Sequence, residues 1–176
     1  MYSVFPNFEN MSKRVRFFYN DVKVSLAGRT ALKEFVHFLF KQEDTKLKSL
    51  NIIFCTDSYL LQINKDYLSH NYYTDIITFF YSKSNEPVQA EMYISIERVK
   101  DNAILLESTN TSELHRVIFH GCLHLCGYGD KTSQQIKKMR EREDYYLRLY
   151  FSKRKKTWST FWFYFSYLQE ILSIHR

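Results

Sequence analysis

His120 and His124 stand four residues apart in the stretch HGCLHLCGYGD, and Asp130 closes it. Side chains at i and i+4 leave one face of a helix. Two imidazoles at that spacing are a common way to hold zinc on a helix. Gly127 is the residue expected to stop such a helix in a left-handed turn. A chain that turns sharply there can bring the Asp130 carboxylate back over the helix end. His120, His124 and Asp130 then make three protein ligands with a fourth position open, the pattern of a reactive zinc site. Two histidines at this spacing can also simply be partly exposed surface groups, the commoner case on spacing alone.

The other candidates nearby point elsewhere. His115 lies about 140° round the helix from His120. Cys122 and Cys126 share a face roughly 160° from the histidine pair and read as small core residues. Position 121 is Gly, so the glutamate base of an HExxH peptidase is missing. A metal here would act on its water mainly through its own charge. Glu91 and Asp75 are the candidate assisting carboxylates.

The elements that must position this site follow from periodicity and punctuation. A strand is expected over residues 15–24, rich in β-branched and aromatic residues. A helix is expected over 29–42, where Leu32, Phe35, Val36 and Leu39 share a face. A short apolar strand over 49–55 leads to Thr56 or Asp57 as the cap of a helix to residue 67. Strands over 75–81 and 91–96, separated by the loop SKSNEPVQ, suggest an antiparallel pair. A helix over 97–107 follows. Asn110 with Glu113 reads as a capping box for the helix that carries the histidines. Thr132 with Gln135 repeats that signature before a last helix over 133–150. The expected fold is α+β, one domain with a small mixed four-stranded sheet flanked by helices. The metal site lies at the end of a central helix.

The formal charge is +6, unevenly placed. Residues 131–176 hold eleven Lys and Arg against four Asp and Glu, a net of +7, and residues 1–130 net −1. A basic C-terminal part suits RNA or an anionic surface, or is a solvated face. Lys137, Lys138, Arg140, Arg142 and Arg148 on the last helix are the candidates to track an RNA backbone. Residues 151–176 form a basic and aromatic extension, expected to be helical and too short in its apolar part to span a bilayer. Three cysteines make no disulfide framework. No signal run or membrane span is apparent, so the expected compartment is the cytoplasm with reduced thiols.

The central motif resembles the HGxLHLxGYDH signature of the YbeY family, bacterial endoribonucleases of ribosomal RNA maturation. INKDYLSHNYYTDIITF is similar to that family's LNxxYRxxxxPTDVLSF segment, and EMYISIERV to its GDIxIS strand and following helix. The resemblance covers about residues 15–150, so residues 1–150 are expected to form the endoribonuclease domain. It implies a single-strand-specific, zinc-dependent endoribonuclease with one Zn2+ per chain. It also implies action in 16S ribosomal RNA 3′-end maturation and ribosome quality control, with ribosomal RNA and the small ribosomal subunit as partners. The family holds its zinc with three histidines. Carried over, the first two are His120 and His124, and Asp130 stands where the third is expected. An anionic ligand lowers the site's formal charge and raises the pKa of a metal-bound water relative to three histidines.

A second departure is Leu68, where the family has an Arg suited to gripping a phosphate. Lys65 and His70 are the candidates to replace it. Thr74 and Asp75 match the family's Thr-Asp pair, with a substrate or a turn role. Two alternatives stand beside this expectation: a non-catalytic RNA- or ribosome-binding assembly factor with a structural metal, and a metallopeptidase-like hydrolase.

Overall fold

Four strands form the sheet in the order β1-β2-β4-β3 in a computed structural model that describes residues 13–153. They are β1 (Val15–Tyr19), β2 (Leu47–Cys55), β3 (Ile76–Phe80) and β4 (Val88–Ser95). β1 pairs parallel with β2, and β2 parallel with β4. β3 closes the edge antiparallel to β4, as expected for two strands joined by a short loop. The helices are α1 (Arg29–Gln42), α2 (Asp57–Leu68), α3 (Ile96–Leu105), α4 (Asn110–Leu125) and α5 (Ser133–Lys153). The α+β class and the mixed four-stranded sheet agree with the sequence reading. The extension beyond residue 153 lies outside the described residues.

Side chains alternate across a strand, and β4 shows why the two faces differ. Val88, Ala90, Met92 and Ile94 point into the main core with Leu50, Ile52 and Phe54 of β2. That face is covered by α1, α4 and α5 through Phe35, Leu39, Val117, Ile118, Phe119, Tyr146 and Tyr150. The opposite face carries a smaller cluster, Cys55, Leu60, Ile63 and Ile77, roofed by α2. α4 is therefore the central helix, packed against the sheet and between α3 and α5.

Several boundaries differ from the sequence reading. β1 ends at Tyr19, because Asp21 takes a left-handed φ of 53° and leaves the strand direction; Val22 and Val24 still pack on the core. β4 begins at Val88, three residues earlier than expected, because its backbone continues the ladder with β2 from Leu47. The cap of α4 is Thr109, whose side chain accepts the Ser112 amide proton at 3.1 Å. Asn110 is already helical, and Glu113 does not reach back; it is buried, 3.7 Å from Arg116 Nε. The second box is present: Thr132 accepts from the Gln135 amide at 3.2 Å, and Gln135 Oε1 accepts from the Thr132 amide at 3.1 Å.

Candidate metal centre

The end of α4 builds the site. Gly127 adopts φ 92°, and the chain closes with Gly127 N–H donating to His124 O at 2.9 Å and Tyr128 N–H to Leu123 O at 3.0 Å. This pair of bonds is a Schellman turn. It brings the Tyr128 carbonyl to His124, whose Nδ1 donates to it at 2.9 Å. The Tyr128 side chain continues the anchoring, its hydroxyl donating to Glu43 Oε2 at 2.9 Å. Glu43 also takes the Arg142 guanidinium and the Tyr146 hydroxyl on its other oxygen. Burial pushes the Glu43 carboxyl up, but the bonds from Arg142, Tyr146 and Tyr128 outweigh it and hold it below its ordinary range.

His120 is held from the other side. Its Nδ1 donates to Glu143 Oε1 at 2.8 Å, and Glu143 Oε2 accepts from Arg116 Nη1 at 3.1 Å. Glu143 is only 3% exposed. Burial pushes its carboxyl up, yet the His120 bond and the Arg116 bond leave it lowered overall.

With both Nδ1 atoms bonded to acceptors, each ring turns its Nε2 to the site. Those two Nε2 atoms lie 2.9 Å apart. Asp130 Oδ2 is 3.4 Å from His124 Nε2 and 4.0 Å from His120 Nε2. Two imidazole nitrogens and a carboxylate oxygen so close call for a shared proton or a cation among them. A tetrahedral ion with bonds of about 2.0–2.1 Å holds its donors roughly 3.3 Å apart, which the three spacings bracket. All three donors fall within 4.8 Å of one another, so this donor set can hold a metal ion. Both second nitrogens are anchored, as metal-bound imidazoles generally are.

Gly121 explains why no glutamate stands there. A Cβ at that position would meet Met92 Sδ at 2.4 Å and Ile76 Cδ1 at 2.6 Å. α4 lies on the sheet at this point, and a glutamate would be driven into the core.

Two cavities flank the histidines. One of about 930 Å³ is lined by Leu68, His70, Tyr72, Thr74, Asp75, His120, His124, Asp130 and Lys131. The other, about 370 Å³, lies between α3, α4 and α5 and shares Asp75, His120 and Asp130 with the first. The sequence candidates therefore separate. His70, Thr74 and Asp75 line the larger cavity; Lys65 is exposed and lines neither. Asp75 accepts from Asn102 Nδ2 at 2.9 Å. Glu91 is away from the site, on the α2 side of β4, held by Asn51, Tyr81 and Tyr93. Lys131 is a cation that the sequence reading passed over.

Of the basic residues on α5, Arg142 is committed to Glu43, and Lys138 lies 5.2 Å from the Tyr128 ring centre. His115 points into the core between Phe119 and Tyr150. Burial pushes the Cys55 and Cys126 thiols up to about 12 and raises Cys122 as well, so they are thiols rather than thiolate ligands.

Glu143 and Glu43 were also missed. Glu143 did carry a signal: it sits in helical register with Met139, Tyr146 and Tyr150, all buried. A carboxylate on an apolar stripe calls for a buried partner.

Comparison with known proteins adds an independent line. The family model described as Endoribonuclease YbeY matches residues 15–150. Endoribonuclease YbeY of Cytophaga hutchinsonii is 47% identical over 133 residues, covering 76% of this chain and 93% of that protein. The Amoebophilus asiaticus protein of the same description is 38% identical over 133 residues, 76% of this chain and 90% of its own. The solution structure of TM1509 from Thermotoga maritima shares the fold, with TM-score 0.56 at 23% identity over 80% of this chain and 91% of that one. On its sequence, and with a fold to match, the chain belongs to the YbeY endoribonuclease family.

Proposed function

We propose that this protein is a zinc-dependent endoribonuclease that cuts single-stranded RNA, with one Zn2+ held by His120, His124 and Asp130. The observation that carries this reading is the two Nε2 atoms 2.9 Å apart, with Asp130 beside them and both Nδ1 atoms occupied. Matches to relatives named as endoribonucleases supply the reaction class. The substrate we assign is ribosomal RNA, at the 3′ end of 16S, in the cytoplasm, with the small ribosomal subunit as partner. No helix among the described residues is long and apolar enough to cross a membrane.

A divalent ion held by His120, His124 and Asp130 would supply a Lewis acid at the scissile phosphate. The chain's own residues do the rest. Lys131 and His70 line the larger cavity and meet the phosphate backbone in place of the arginine that Leu68 cannot imitate. Asp75 takes the proton of the attacking oxygen, of water or of the RNA's 2′-hydroxyl, as that oxygen bonds to phosphorus and the P–O bond to the leaving ribose oxygen breaks, with solvent protonating the leaving oxygen. Asp75 is oriented by Asn102 and lies on both cavities. Glu143 and the Tyr128 carbonyl hold the two imidazoles in the tautomer that leaves Nε2 free.

The test pairs metal analysis with cleavage. Purified wild-type protein is expected to carry near-stoichiometric zinc and to cut a labelled single strand from the 3′ region of 16S rRNA, sparing its duplex. His120→Ala and His124→Ala are expected to lose both properties. Zinc-loaded protein that binds RNA but cuts none, indistinguishably from His120→Ala, indicates an assembly factor instead. Near-stoichiometric zinc in Asp130→Ala removes Asp130 from the ligand set.

A further inference from the structure

We infer that the cavity of about 370 Å³ between α3, α4 and α5 is a pocket for a guanine base of the RNA, read by Glu113. This deepens the nuclease reading and rests on it, since the pocket shares His120 and Asp130 with the metal centre. Its size is in the range that takes a small organic ligand.

Two independent features point to a flat, edge-polar ligand. The first is the mouth. Leu105 is 80% exposed, Leu106 45% and Ile136 47%, all three lining this one cavity. Single exposed apolar side chains are ordinary, but several around one opening beside a polar site mark a binding surface. They offer an apolar wall to the face of a base.

The second feature is the floor. Glu113 is 3% exposed and lines the cavity, yet its Oε2 accepts no hydrogen bond. Arg116 Nε is 3.7 Å away, and Arg116 Nη1 is already given to Glu143 and Asp144. A buried carboxyl oxygen without a donor is costly to keep. Burial raises the Glu113 carboxyl accordingly. Guanine is the base whose Watson–Crick edge presents two adjacent donors, N1–H and the N2 amino group, matched to two carboxylate oxygens. Its O6 and N7 are the acceptors that arginine pairs with. Arg140, half-exposed on the same cavity, supplies that donor. Adenine offers one donor and one acceptor on that edge.

The test is calorimetric titration of the full chain with the 5′-monophosphates of guanosine, adenosine, cytidine and uridine. All four carry the same phosphate, so differences report the base. The expected result is GMP binding about tenfold or more tighter than the others. Glu113→Gln, which keeps shape but replaces an acceptor with a donor, should abolish that preference. Arg140→Ala should weaken GMP several-fold. Methyl signals of Met139 and Ile136 should shift with GMP in the wild type, a readout independent of whether Glu113→Gln folds. Equal affinities for the four nucleotides, an intact preference in folded Glu113→Gln, or unmoved methyl signals would overturn the pocket. Cleavage of permuted RNAs separates the two claims. Cutting with no guanine preference overturns the pocket and leaves the nuclease. GMP-selective binding by a protein that cuts no RNA upholds the pocket and removes the nuclease reading.

Discussion

Replacing Glu143 with Gln should weaken zinc binding without unfolding the protein. Glu143 serves two donors at once: His120 Nδ1 at 2.8 Å on Oε1 and Arg116 Nη1 at 3.1 Å on Oε2, with Arg140 Nη1 at 3.8 Å. A glutamine has one acceptor oxygen. If it faces His120, the amide NH2 is set against Arg116; if it faces Arg116, the NH2 meets the His120 N–H. In the second case the imidazole must change tautomer or rotate, and its Nε2 lone pair is lost to the metal. The negative charge that raises the basicity of His120 disappears in either case. Changes to such partners of metal-bound histidines cost about 10–100-fold in affinity, or about 1.4–2.8 kcal/mol. The assay is a zinc competition titration against a chromophoric chelator, with far-UV circular dichroism to verify folding. Arg116 retains Asp144 at 2.8 Å, which limits the damage to the metal-free fold. A folded Glu143→Gln that binds zinc within twofold of wild type would refute the claim that this hydrogen bond orients His120.

Three further outcomes follow from the same structure. The Glu43 carboxyl is lowered in the folded state, so its stabilisation is complete above its unfolded value of about 4.3 and is lost as pH falls through the folded one. Thermal melts of wild type and Glu43→Gln should therefore differ at pH 7 and converge as pH drops below about 4; a constant gap contradicts the linkage. Gly121→Val should destabilise by about 1–3 kcal/mol through overpacking against Met92 and Ile76, measured by urea unfolding. Gly127→Ala meets no atom within 4 Å, so its cost is backbone strain alone, about 1–2 kcal/mol. Because the turn carries the Tyr128 carbonyl to His124, zinc affinity should fall with it.

Local chemistry wrote much of this protein into its sequence. The i, i+4 histidines, the stop at Gly127 and the Thr132–Gln135 box depend on residues within a turn or two, so spacing alone made them legible. The face of β4 was not read from it: Glu91 stands in the sequence as a candidate assisting carboxylate, but the alternation turns it away from the site to Asn51, Tyr81 and Tyr93. Pattern could not settle the cap of α4, because Thr109 and Asn110 are both good caps; in the fold Thr109 is extended and accepts the Ser112 amide proton, while Asn110 is already helical. Nor could it settle the end of β1, where Asp21 turns the chain.

What tertiary structure decided lies at long separation. Asp130 is near in sequence and reaches His124 through the turn at Gly127; the groups that aim the histidines come from far away. Glu143 finds His120 from 23 residues away, and Glu43 meets Tyr128 across 85. Helix packing sets those distances, and one chain's periodicity does not record which helices pack. Lys131 reached the site and Lys65 did not for the same reason: α2 turns Lys65 to solvent, while the turn into α5 carries Lys131 to the cavity. Residue spacing offered a metal site at the end of α4 beside the plainer reading of two surface histidines, and the fold brings the three donors together. The packing of α1 and α5 decided how firmly its histidines are aimed, because each aiming hydrogen bond ends on a group those helices support.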